Sequence, residues 1–205
     1  MKFKTTTIIL VLLALGLGSF VYITEIKKKS IQEKADTKQN TEALIFNFAE
    51  NNIESLTIET EDTTLKFEPQ SEENQPWKMV EPEQVTASEP SVSFLVNLLL
   101  EGKANQSFTV NKDQLSDYGL DKPIAKIFFT LKKENEQIQK NQLFLGKPNF
   151  DNTSIYAQVS DHNLPENQAK VVLVSKSFQY AVERDYEDWK QKQEDKSLNT
   201  NSNEE

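Results

Sequence analysis

Six short stretches of this chain alternate apolar and polar residues with period two. That period sends successive side chains to opposite faces of an extended strand, so it demands sheet with one face buried. Leu56 and Ile58 alternate with Ser55, Thr57 and Glu59, and Leu65 and Phe67 with Thr64, Lys66 and Glu68. The turn Glu61-Asp62-Thr63 between them predicts a hairpin. Trp77 and Met79 flank Lys78 in a third short strand that stops before Pro82. Further on, Ile127, Phe129 and Leu131 alternate, then Leu143 and Leu145, then Ile155, Ala157 and Val159. Val171 to Val174 is a continuous apolar run, as a strand buried on both faces requires.

Two stretches change to helical spacing. Val92, Leu95, Val96 and Leu99 recur at i, i+3, i+4 and i+7. Ser88 stands at the N-cap position, Pro90 falls in the first turn and Gly102 ends the run. The second stretch starts at Ser175 as cap and carries Phe178, Ala181, Val182, Tyr186 and Trp189 as one stripe. The order of elements predicts an α+β fold. It has two tandem strand-strand-strand-helix repeats of mostly antiparallel sheet, about residues 44–104 and 120–190, after an N-terminal transmembrane helix.

Between the repeats lies a segment with its own local logic, residues 111–123. Asn111 can cap a helical turn, with Gln114 three residues on as in a capping box. Gly119 suits the left-handed position that ends such a turn. Leu115, Tyr118 and Leu120 are placed to pin it to the core, and Pro123 restarts an extended chain. Tyr118, Gly119, Leu120, Asp121 and Pro123 are therefore expected to form a built structural junction.

Residues 5–23 are apolar and uncharged, about the length that crosses a hydrocarbon core of ~30 Å. Tyr22 falls where an interfacial aromatic belongs. The weak small-residue site at Gly16-Leu17-Gly18 leaves a cleaved signal peptide as the competing reading. The expected layout is an anchor over 1–24, a polar stalk over 25–43, a folded domain over 44–190 and a disordered acidic tail over 191–205. Lysines on both sides of the apolar run nearly balance, and the acidic domain favours an N-in, C-out topology.

Net charge is -9, and the first 34 residues carry six lysines, so the rest of the chain is more acidic still. A domain this acidic repels phosphate backbones, which argues against nucleic acid as a partner. No cysteine is present, so disulfides, thiolate metal sites and thiol catalysis are excluded. His162, the single histidine, sits in a polar loop and has no second histidine to share a metal. Phosphate-binding glycine loops and the nucleophile elbow are missing. Ser30, near the membrane, lies in the polar stalk, where no lysine would be desolvated enough to act as its base. Glu59, Glu61, Asp62, Glu72 and Glu73 read as solvated turns. Asp151-Asn152-Thr153-Ser154 reads as a turn, since it lacks the spaced ligands of a calcium loop. No catalytic residue, cofactor or metal is expected. Trp77 and Tyr156 hold comparable places in the two halves. Both are expected in the core, and facing outward they would be the best anchors for a partner.

Taken in order, Trp77 and Pro82, Ala87-Ser88, Tyr118-Gly119-Leu120-Asp121-x-Pro123, Leu145-Gly146, Tyr156 and Arg184-Asp185 carry a resemblance. Over about residues 44–189 the chain resembles the DUF4340 family, a domain of unknown function in bacterial envelope proteins. The resemblance implies an N-terminally anchored protein with a domain outside the membrane, in some members beside transport or gliding components. It implies no catalytic residues. The expected function is a membrane-anchored, non-enzymatic interaction or assembly module that binds another envelope or membrane protein, for example as an accessory subunit of a transport-type complex. The alternative is a ligand-binding or substrate-delivery module of the envelope.

Overall fold

A computed structural model describes residues 43–70, 77–133 and 137–192. The described residues belong to the compact unit Glu42–Glu205. The expected anchor over 1–24, almost all of the stalk over 25–43 and the tail beyond Lys192 lie outside them. Among the described residues, no helix is long and apolar enough to cross a membrane.

The chain forms short β1 (Ala43–Leu44), then β2 (Ile53–Glu59), β3 (Thr64–Pro69), β4 (Trp77–Glu81) and β5 (Val85–Thr86). Helix α1 (Glu89–Glu101) leads to β6 (Lys103–Ala104) and β7 (Gln106–Asn111). A 3-10 segment over Lys112–Tyr118 precedes β8 (Ala125–Lys132), β9 (Ile138–Pro148), β10 (Ser154–Val159) and β11 (Gln168–Ser175). Helix α2 (Ser177–Val182) and a 3-10 turn over Tyr186–Trp189 close the described chain.

The expected α+β fold of two repeats is corrected by the pairing. Nine strands form one antiparallel sheet in the order β5-β4-β3-β2-β8-β9-β10-β11-β7. The predicted hairpin is there, with Leu56 opposite Phe67 and Ile58 opposite Leu65. But β2 also pairs with β8, setting Leu56 against Phe129 and Ile58 against Ile127. The first strands of both supposed repeats are thus central neighbours. A sheet split there would strand two ladders of backbone groups away from water, and one continuous sheet avoids that cost. β1 and β6 pair separately as a small two-stranded sheet.

The second helix is also shorter than its stripe. Phe178, Ala181 and Val182 are buried on α2, but the helix stops there with no glycine or proline to end it. The chain bends so that Trp189 reaches Phe67, ring centroids 5.3 Å apart. The Ser88 amide then donates to the Trp189 carbonyl at 2.8 Å, and the Gln191 amide to Thr86 at 3.0 Å. Pairing of this terminal strap with the β5–α1 corner outcompetes further helix. Ser88 does begin α1, yet its hydroxyl donates to Ser91 rather than capping the backbone.

Both sheet faces carry apolar clusters. On one, α1 and α2 cover Leu56, Ile58, Phe67, Met79, Ile127, Phe129, Leu143 and Leu145, all at most 1% exposed. Phe46 and Phe48, ahead of β2, pack on Phe129 at 4.9 and 5.2 Å. The other face holds a smaller cluster, Val110, Leu120, Ala169 and Val171, with Phe108, Leu115, Tyr118, Phe144 and Tyr156 against it. β11 serves both, as its apolar run requires: Val172 and Val174 face one cluster and Val171 the other.

Candidate functional site

The junction residues come together on the smaller cluster. The Gln114 side chain accepts from the Asn111 amide at 3.1 Å, and the reciprocal contact completes a capping box. The segment runs for seven 3-10 residues rather than a single turn. Gly119 has φ 68°, and the amides of Gly119 and Leu120 close the end on Ser116 and Leu115. Tyr118 lies 5.0 Å from the Tyr156 ring and 5.4 Å from Phe108. Leu120 is buried, Pro123 is half-buried and Asp121 is exposed.

Two glycines explain why the junction can sit so close to the sheet. A Cβ on Gly119 would come within 2.9 Å of the Lys147 amide nitrogen. A Cβ on Gly146 would overlap the Tyr118 carbonyl oxygen and crowd Leu120. Tyr118-Gly119-Leu120 and Leu145-Gly146, separated in the chain, are the two sides of one backbone contact.

Past Leu120 the chain enters a groove of about 980 Å³. Three segments wall it: the β2–β3 turn, Asp121 to Lys126, and Val182 to Trp189. Local bonds fix each wall. The Thr60 amide donates to Thr63, Ile124 to Leu145, and Asp188 to Asp185. The floor is apolar, with Ile58, Leu65, Val182 and Trp189 each at most 5% exposed, and Ile124 stands 37% exposed on one wall. The carboxylates of Glu59, Glu61, Asp62, Asp121, Glu183 and Asp185 line it, against Lys122, Lys126 and Arg184. Two donors here lack partners: the Trp189 indole N–H and the Arg184 Nε–H. Arg184 also lays its guanidinium over the Phe94 ring of α1, 5.1 Å from its centroid.

Beside the groove, the terminal strap is held by charge. Lys190 Nζ reaches Glu83 and Glu187, each at 2.8 Å, and lies 4.2 Å above the Tyr186 ring. The Tyr186 hydroxyl donates to Glu83 at 2.6 Å. The Lys190 and Tyr186 bonds hold the Glu83 carboxyl below its ordinary range. Bonds to Glu187 and Glu83 raise Lys190. Burial first, and Glu83 second, raise Tyr186.

The remaining sequence candidates stay apart from the groove. Trp77 is 4% exposed in the larger cluster, the core position expected for it, and so offers no outward anchor. Tyr156 is half-buried in the aromatic group around Tyr118. His162 is exposed. Asp151 folds into a turn, accepting from the Thr153 hydroxyl at 2.6 Å and amide at 3.0 Å, and these bonds lower its pKa. Ser30, Glu72 and Glu73 lie outside the described residues. Among the described residues, no group of three or more histidines and carboxylates is placed to hold a metal ion. The groove itself was missed by sequence reasoning, because its walls come from three distant segments. The available signal was Asp121-x-Pro123 together with Arg184-Asp185, all of which line it.

Fold and site together define a single antiparallel sheet, roofed by helices on one face and by the junction on the other, with an acid-walled groove at one end. The chain belongs to the family described as Domain of unknown function (DUF4340), which it matches over residues 77–199. That match begins at β4, so the central strand β2 and its partner β3 lie ahead of it. No curated protein and no solved structure matches the chain.

Proposed function

We propose that the chain is a membrane-anchored, non-enzymatic interaction module. Its groove receives a basic segment with an apolar anchor from another envelope or membrane protein. One observation carries the reading: an apolar floor walled by six carboxylates against three cationic side chains. Such a lining favours lysine- or arginine-bearing polypeptide through complementary potential, and the floor supplies the desolvated centre that binding hot spots need. The apolar run over 5–23 supplies the anchor.

Affinity capture of the full-length protein from detergent-solubilised membranes tests this, run in parallel with Ile124→Lys. The wild type should recover a stoichiometric partner carrying a basic segment. Ile124→Lys, which puts a positive charge on the exposed apolar wall of the groove, should lose it while folding normally. No stoichiometric partner would remove the interaction reading. Undiminished recovery by Ile124→Lys would remove the groove from it.

A further inference from the structure

The two edges of the sheet are treated differently. At one end β5 has two residues and turns at once into α1, so it offers almost nothing to pair with. At the other end β7 runs six residues, Gln-Ser-Phe-Thr-Val-Asn, with no charge and no proline. Lysine, proline and extreme shortness are the usual guards of an exposed edge, and β7 has none of them. Among the described residues no strand pairs with its outer side.

The register shows which backbone groups are free. Asn111 lies opposite Gln168, and the Lys112 amide continues the ladder by donating to Asn167 at 2.9 Å. Alternation along an antiparallel ladder then turns Gln106, Phe108 and Val110 toward β11 and Ser107, Thr109 and Asn111 away from it. The capping box fits this parity, because the outward Asn111 amide is the one satisfied by Gln114. The N–H and C=O groups of Ser107 and Thr109 are left facing the open edge, and both residues are exposed.

We propose that β7 is a self-association edge, pairing antiparallel with β7 of a second copy of this chain about a two-fold axis at Phe108. This surface is separate from the groove and does not depend on it. The argument for a second copy is self-complementarity. One register sets Ser107 opposite Thr109 of the other copy and uses every free group of both, in about four hydrogen bonds. In that register Phe108 faces its own counterpart in a non-hydrogen-bonded pair, where side chains approach most closely. Phe108 is half-buried, on the face where Tyr118 and Tyr156 pack against it, so the aromatic cluster would continue across the axis.

The chain has no cysteine, so an engineered one reports without background. Full-length protein in detergent, carrying Phe108→Cys, should form a disulfide-linked dimer under mild oxidation. A more exposed control, Asn163→Cys, should not. In case Phe108→Cys weakens the aromatic cluster, a mixture of Ser107→Cys and Thr109→Cys chains should cross-link more than either alone. Thr109→Pro removes one outward N–H and leaves the β11 ladder intact, so it should sediment as monomer where the wild type sediments as dimer. A wild type that is monomeric at tens of micromolar, or a dimer that survives Thr109→Pro, overturns the proposal. Cross-linking at Phe108→Cys to a different polypeptide overturns the second copy as occupant.

Discussion

The two faces of the sheet are closed in different ways. One is roofed by helices over a cluster drawn from β2, β3, β4, β8, β9, β10 and β11. The other is closed near β7, β10 and β11 by a junction of a dozen residues over a small aromatic group. The larger cluster crosses the boundary between the sequence halves, so a defect there should be felt throughout the domain. The smaller one relies on a backbone contact between two glycine-bearing segments, so a defect there should first release the junction. Bulk apolar burial holds the one, and close backbone approach the other.

The strongest test of that contrast is Phe129→Ala. The ring is 1% exposed in the larger cluster, and its removal should cost about 3–5 kcal/mol. Chemical denaturation should still show one transition, shifted to lower denaturant, because both halves share the core. Separate melting of the two halves would break the picture of a single body.

Next is Gly119→Val, which forces a branched residue to φ 68° and drives Cβ toward the Lys147 amide. The strain alone should cost about 1–3 kcal/mol. Gly119→Asn sharpens the result, since asparagine tolerates the left-handed region but keeps the Cβ contact. If the asparagine variant melts like the wild type, φ and not crowding is the controlling factor. If both variants melt like the wild type, the junction is not built this way.

Tyr118→Ala should cost less, about 1–2 kcal/mol, by removing one ring from the aromatic group. Hydrogen exchange should quicken at residues 112–118 with the larger cluster still protected. Equal loss of protection on both faces would show that the clusters are not separable.

The smallest effect is on the terminal strap. Glu83 has its pKa lowered by folding, so its contribution is present above its ordinary 4.5 and is lost as pH falls through the folded value. Lys190 and Tyr186 are raised, so theirs is complete at neutral pH and is lost only in alkali. Acidification below about pH 4.5 should therefore shift the amide resonances of Tyr186 to Gln191 before those of the junction. Glu83→Gln should remove most of that early shift.

Local features were legible because their causes are local. The β2–β3 hairpin follows from period two and a polar turn, and α1 from its spacing between Ser88 and Gly102. The capping box at Asn111 and Gln114 and the left-handed Gly119 could be read from a handful of neighbouring residues. Even the double burial of β11 was written in Val171 to Val174. β7 was missed although Phe108 and Val110 alternate, because a six-residue polar stretch after a helix reads as loop until a partner is known.

Period two by itself determined that this chain makes antiparallel strands with one buried face, and the junction determined its own turn. It did not determine which strand lies beside which. That β2 joins β8, that the stripe of α2 breaks so that Trp189 can reach Phe67, and that Gly146 faces the Tyr118 carbonyl are results of long-range packing. Each depends on a partner far along the chain whose contribution, small per contact, decides only when the whole sheet forms at once.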